Sequence, residues 1–168
     1  MLAYSSIAHA GYILIGVVAG GAAGTGAVLY YLLVYTLMNI GAFAVVIAIE
    51  QKGEKNLNLS AYAGLGSRHL ALGAAMAVFM FSLAGIPPFS GFMGKFYIFS
   101  AAVKEGYIGL TIIAVLNSLV SVYYYLRVTV MMFMQEPESG AEEAAVFFYP
   151  ALAGGRHPVR PQRVDRRP

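Results

Sequence analysis

Residues 79–100 read FMFSLAGIPPFSGFMGKFYIFS, an apolar run broken by Gly85, Ile86, Pro87 and Pro88 and carrying one charge, Lys95. Apolar sequence extends on both sides, over residues 69–103. A bilayer core of ~30 Å needs only about 20 helical residues, so the run is too long for one straight span. The paired prolines remove two backbone donors and disfavour helical geometry at the residue before each of them. A helix interrupted at membrane depth is tolerated only where the freed carbonyls face protein or a wet cavity. Interrupted helices with an ionisable residue near the break recur in ion and proton transporters.

Composition reads as that of a membrane-embedded protein. It is 59% hydrophobic and 11% charged, against about 25% charged residues in soluble domains, and its mean hydropathy is +0.69. No Asp, Glu, Lys or Arg occurs over residues 1–49, and Lys95 is alone between Arg68 and Lys104. The net charge of +3 comes largely from Arg156, Arg160, Arg163, Arg166 and Arg167. No aromatic-laced basic surface accompanies them, so the charge does not point to nucleic acid. The absence of cysteine excludes a disulfide framework, an iron–sulfur cluster and a thiolate metal site within the chain. The first twenty residues lack a basic start, hold Tyr4 and His9 and run into further apolar sequence, which is not the pattern of a signal peptide.

The expected fold is an all-α integral membrane protein of about four transmembrane helices, one of them discontinuous. Span one covers residues 2–18 and ends in the Gly- and Ala-rich stretch 19–26; span two covers 27–49. A polar loop over 51–68 precedes the broken span, 69–103, interrupted at 85–88. A turn at Lys104-Glu105-Gly106 leads to span four, 107–134, which Glu136 and Pro137 end. If 69–103 crosses once, the 51–68 loop and the region after span four share a side, and that side holds Lys52, Lys55, Arg68 and the tail arginines. The positive-inside rule then places both in the cytoplasm. Residues 1–138 form the expected transmembrane domain. Residues 139–168 form an expected polar, disordered tail, since 144–153 is apolar but too short to span and 154–168 is rich in Pro and Arg.

Lys95 is the sharpest candidate for chemistry. Snorkelling to the interface is its bland reading, but a charge at membrane depth is a functional candidate by default. Early in the half-helix after the break, a positive helix end and scarce water both disfavour the ammonium, so such a lysine can lose and regain a proton. Tyr31, Tyr35 and Asn39 recur at i, i+4, i+8 on one face of span two, which suits either a chain of ordered water or interhelical hydrogen bonds. His9, with Ser5, Ser6 and Tyr12 around it, is a candidate proton relay, although buried hydrogen bonding is the commoner fate of such a histidine. His69 is expected at an interface and His157 in the tail, while Arg127, after Tyr123-Tyr124-Tyr125, is expected to anchor span four with an aromatic belt. No phosphate loop, dinucleotide fingerprint, metal-ligand cluster or nucleophile triad is present.

The motifs MLAYSSIAHAGY, LAGIPPFSGFMGKFY and SVYYYLRV together resemble the antiporter-like membrane subunits of the proton-pumping NADH:quinone oxidoreductase, respiratory complex I. The resemblance covers residues 1–138 and implies that 69–103 is the discontinuous helix of a second inverted half-repeat, with Lys95 the terminal proton-channel lysine. Tyr31, Tyr35 and Asn39 stand where related subunits carry two histidines and a lysine, which sorts the chain with the bacterial N-type branch rather than the L or M types. The resemblance further implies proton translocation in a bacterial inner membrane, beside neighbouring membrane subunits of the complex. NAD, flavin, iron–sulfur clusters and quinone belong to other subunits, and the chain itself is expected to hold no cofactor and no soluble ligand. It corresponds to the second half-repeat alone, and its last residues read as a truncation or an altered reading frame. The alternatives are a subunit of a multisubunit cation/proton antiporter and a structural membrane fragment that conducts nothing.

Overall fold

The computed structural model describes residues 2–49 and 62–135, with Ser67 and Arg68 given by backbone alone. The expected polar loop therefore falls outside the described residues over 51–61, as do the helix stop at Glu136-Pro137 and the whole expected tail, 139–168. Six helices are present among the described residues: α1 (Leu2–Ala19), α2 (Gly21–Ile49), α3 (Leu65–Arg68), α4 (Leu70–Ala84), α5 (Ser90–Lys104) and α6 (Ile108–Met134).

Helices α1, α2 and α6 are each long and apolar enough to cross a membrane. Helix α4 has 15 residues, about 22 Å at 1.5 Å per residue, and falls short of a ~30 Å core alone. It does not act alone. Along α2, Gly41 receives Phe79 of α4, Gly94 of α5 lies against Tyr31, and Tyr97 of α5 meets Tyr30 at 5.3 Å between ring centroids. Positions fall along α2 as they rise through α4 and α5, so the two short helices lie end to end as one interrupted span antiparallel to α2. Helix α6 returns along both, with Phe133 against Gly73 of α4 and Ser118 against Lys95 of α5. The four expected helical units are present as α1, α2, the interrupted pair α4–α5 and α6, and the pair runs in one direction along α2.

The second span starts earlier than expected. Residues 19–26 were expected to separate spans one and two, yet α2 begins at Gly21 and only Gly20 lies between the helices. Gly20 and Gly21 adopt φ values of 65° and 60°, a left-handed geometry that lets the chain reverse within one residue. Beyond the turn, a Cβ on Gly24 would meet the carbonyl of Gly16 at 2.6 Å. Small residues thus bring two backbones together, as membrane helix interfaces require when lipid supplies no hydrophobic drive.

Two buried clusters hold the bundle. Val34, Met38 and Ala42 of α2 pack with Met76, Met80 and Leu83 of α4 and Tyr125, Val128 and Met132 of α6. Tyr12 and Ile15 of α1 pack with Tyr31 of α2, Ile98 and Ala102 of α5 and Ala114 of α6. Outward positions such as Leu14, Leu29, Leu33, Ile113 and Leu119 are exposed and apolar. Polar side chains that lie inside the bundle are therefore the ones that need an explanation.

Candidate functional site

Helix α4 ends on Gly85, whose φ of 81° is left-handed and whose amide bonds back to Phe81 and Ser82. This is a glycine stop of the kind common at helix C-termini. The break falls within the expected 85–88, and Gly85 stops the helix before the chain reaches the prolines. Pro87 and Pro88 then keep the intervening segment out of helical geometry until α5 starts at Ser90.

A helix end leaves carbonyls without partners, and the start of the next leaves amides without partners. Here each half satisfies the other. Lys95, from the second turn of α5, donates from Nζ to the carbonyl of Leu83 at 3.1 Å and that of Ala84 at 2.9 Å. In return Ser82 of α4 accepts at Oγ from the amide of Gly91 near the start of α5, at 3.2 Å. Lys95 is 4% exposed, and its third contact is Ser118 Oγ of α6 at 3.0 Å. The side chain does not snorkel.

This placement corrects the expected electrostatics. The positive end of α5 and scarce water were both expected to disfavour the ammonium. The burial is present, but Nζ reaches back to the C-terminal carbonyls of α4, the negative end of another helix. The face of Tyr12 lies 5.1 Å from Nζ and adds a cation–π contact. Among the described residues the only carboxylate is Glu105, beyond the end of α5. The ammonium is seated by dipoles, not by a counter-charge.

A second cluster forms around His9, which is 1% exposed on α1. Both ring nitrogens have hydroxyl partners: Nδ1 meets Tyr31 Oη at 2.7 Å and Nε2 meets Tyr125 Oη at 3.0 Å. Tyr125 continues to Ser5 Oγ at 2.5 Å. Tyr35 stacks on the imidazole, 4.7 Å between centroids and 19° from parallel, and Asn39 donates to Tyr35 Oη at 3.4 Å. A neutral imidazole has one donor and one acceptor nitrogen, so this arrangement gives each nitrogen a partner in either tautomer.

Tyr12 joins the clusters. Its ring meets His9 edge-on at 5.8 Å, on the same ring that faces Lys95. Asn117 donates to its hydroxyl at 3.4 Å, with Ser118 and Ser121 beside it.

Of the residues singled out from sequence, His9, Tyr31 and Tyr35 come together, Asn39 is attached through Tyr35, and Lys95 heads the neighbouring cluster. Tyr12, Ser118 and Tyr125 were missed as site residues. Tyr125 was read with Tyr123 and Tyr124 as an aromatic belt, but Tyr123 and Tyr124 are exposed while Tyr125 is 2% exposed. A signal did exist. Thr111, Ser118, Ser121 and Tyr125 recur at spacings of seven, three and four, one face of a helix. Arg127 is exposed on α6.

The family model for the transmembrane region of NADH:quinone oxidoreductase and Mrp antiporters matches residues 1–121. The NADH-quinone oxidoreductase subunit N of Trichlorobacter lovleyi is 61% identical over 138 residues, 82% of this chain and 28% of the relative. Subunit N of Chloroflexus aggregans is 54% identical over 139 residues, again 82% of this chain and 28% of the relative. A chain of the solved respiratory complex I from Thermus thermophilus with bound aureothin superposes with a TM-score of 0.72 at 42% identity, covering 82% of this chain and 30% of that one. The chain thus spans 28% of the length of these curated relatives.

Proposed function

The chain belongs to the NADH:quinone oxidoreductase/Mrp antiporter transmembrane family, and from that premise we propose that it forms a proton half-channel of a complex I membrane subunit. It is a multi-pass membrane protein. Lys95 is the group that takes up and releases the proton. The observation that carries this reading is a buried lysine with three dipolar acceptors and, among the described residues, no carboxylate against it. A structural ion pair would hold the proton permanently. A seat made of carbonyls and a hydroxyl holds it reversibly.

His9 extends the path. Imidazole accepts a proton at one nitrogen and releases one from the other, so Tyr31, His9, Tyr125 and Ser5 form a relay that crosses from α2 through α1 to α6 and returns to α1. Tyr35 and Asn39 flank it, and Tyr12 couples it to Lys95. Electron transfer from NADH to quinone belongs to other subunits, with their flavin and iron–sulfur clusters, and this chain works beside neighbouring membrane subunits in the bacterial inner membrane. The segment over 51–68, whose last residues form α3 rather than the expected loop, and the residues after α6 face the cytoplasm, a reading supported by the distribution of Lys and Arg.

The test is Lys95→Met in the assembled complex. Proton pumping in membrane vesicles, normalised to electron transfer and to assembled complex, is expected to fall to a small fraction of the parent's. Parent-like pumping overturns the assignment.

A second reading follows from the clasp between the half-helices: Lys95 serves only to cap α4, as Ser82 caps α5. The two readings differ over arginine, which keeps the charge and cannot release it.

A further inference from the structure

The three partners of Lys95 are not equivalent. The carbonyls of Leu83 and Ala84 only accept hydrogen bonds, whereas the hydroxyl of Ser118 both accepts and donates. An ammonium presents three N–H donors; a neutral amine presents two and one lone pair. We infer that Ser118 is the positioning residue that lets Lys95 change its protonation state in place, accepting from the ammonium and donating to the amine. This rests on the assignment of Lys95 as the group that is protonated and deprotonated, and adds how the site tolerates both states.

The geometry supports it directly. In the charged state Nζ fills all three acceptors, at 3.1, 2.9 and 3.0 Å. The Ser118 hydrogen is then free to turn to Tyr12 Oη beside it. In the neutral state the two remaining N–H groups stay on the carbonyls and the Ser118 hydrogen turns to Nζ. Apart from the proton that Nζ gives up or regains, only a hydroxyl hydrogen moves. With an apolar residue at 118, one state leaves a buried N–H without an acceptor and the other leaves a lone pair without a donor. Such a loss is costly in a low-dielectric interior.

The experiment compares Ser118→Ala, Ser118→Thr and Ser118→Val with Lys95→Met, in the assembled complex. Threonine and valine have the same shape and differ only in the hydroxyl. Ser118 borders a cavity of about 610 Å³ between α5 and α6, which leaves room for the added methyl groups. Proton pumping is expected to be about tenfold slower in the alanine and valine variants, the scale of one lost hydrogen bond to a buried charged group. Threonine is expected to retain most of the parent's rate. If the alanine variant does not assemble, the threonine–valine pair decides alone. Equal pumping by threonine and valine overturns the role of Ser118, whether both pump or both fail, provided Lys95→Met has lost pumping. If Lys95→Met pumps like the parent, the assignment of Lys95 fails first and the inference falls with it.

Discussion

Lys95 Nζ lies 2.9 Å from the carbonyl oxygen of Ala84, so the charge carried by α5 is held by the last residue of α4. The contact spans the break in the helix and uses a carbonyl that only the break makes available. An uninterrupted helix over the same residues would spend that carbonyl on its own ladder. The interruption and the lysine are one device. The glycine and prolines expose the acceptors, and the second half-helix brings the donor to them.

Gly85 is the residue on which the device depends most. Its φ of 81° is strained for any side chain, and a Cβ there would approach Lys95 Cδ at 3.0 Å and Nζ at 3.1 Å. Gly85→Ala is expected to destabilise the folded bundle by about 1–2 kcal/mol from backbone strain. It should also displace the lysine, so pumping should fall further than the loss of assembled complex explains. Pro87→Ala with Pro88→Ala leaves the glycine stop in place and is expected to have the smaller effect on both. Quantifying assembled complex and vesicle pumping for the two variants checks the order, and a larger effect of the proline pair would return the break to the prolines.

Much of this was legible beforehand, for reasons specific to each element. The break announced itself because Gly-Ile-Pro-Pro inside a long apolar run has few structural solutions, and Lys95 stood out as the only charge at that depth. The stripe of Tyr31, Tyr35 and Asn39 followed from helical spacing. Tyr125 was hidden because three consecutive tyrosines read as an interfacial belt, and only the phase of α6 against α1 separates the buried ring from its neighbours. The early start of α2 was hidden by composition, since a run of Gly and Ala looks like a linker. Here those residues start the helix, with Gly24 packed against Gly16 of α1. The seat of Lys95 on α4 carbonyls requires knowing how two half-helices dock, which no spacing encodes.

The docking surface between the halves tolerates no side chain at Gly91. A Cβ there would fall on the carbonyl of Ser82, which is backbone and cannot yield without moving α4. Gly91→Ala is expected to cost about 1–3 kcal/mol, the range for overpacked interiors. Gly26→Ala meets nothing within 4 Å and is expected to be neutral or to stabilise α2 by about 0.5–1 kcal/mol. Thermal unfolding of the purified complex in detergent, followed at this subunit, compares the two. Equal stability would remove the claim of close contact at Gly91.

His9 should respond to the loss of either hydroxyl. Tyr31→Phe and Tyr125→Phe each keep the ring and leave one imidazole nitrogen without its partner. Each is expected to cost about 1 kcal/mol of stability and to slow pumping. Tyr124→Phe, on an exposed neighbour, is expected to do neither. Assembly and pumping of the three variants side by side provide the measurement. Parent-like pumping in both buried variants would reduce the His9 cluster to interhelical packing.

Arginine at position 95 separates proton storage from capping. A guanidinium is positive under all accessible conditions, with a pKa above about 12. It offers more N–H donors than an ammonium, so it can still reach the carbonyls of Leu83 and Ala84 and close the end of α4. If Lys95 is only a cap, Lys95→Arg should assemble and pump like the parent while Lys95→Met fails in both. If Lys95 stores the proton, the arginine variant should assemble but lose pumping, because its charge can never be released. The methionine variant should also lose pumping, because it can never be charged. The decisive quantity is pumping per assembled complex, measured in vesicles at matched electron-transfer rates. Parent-like pumping by Lys95→Arg would leave Lys95 a structural clasp and move the search for the proton-carrying group to His9 and its tyrosines.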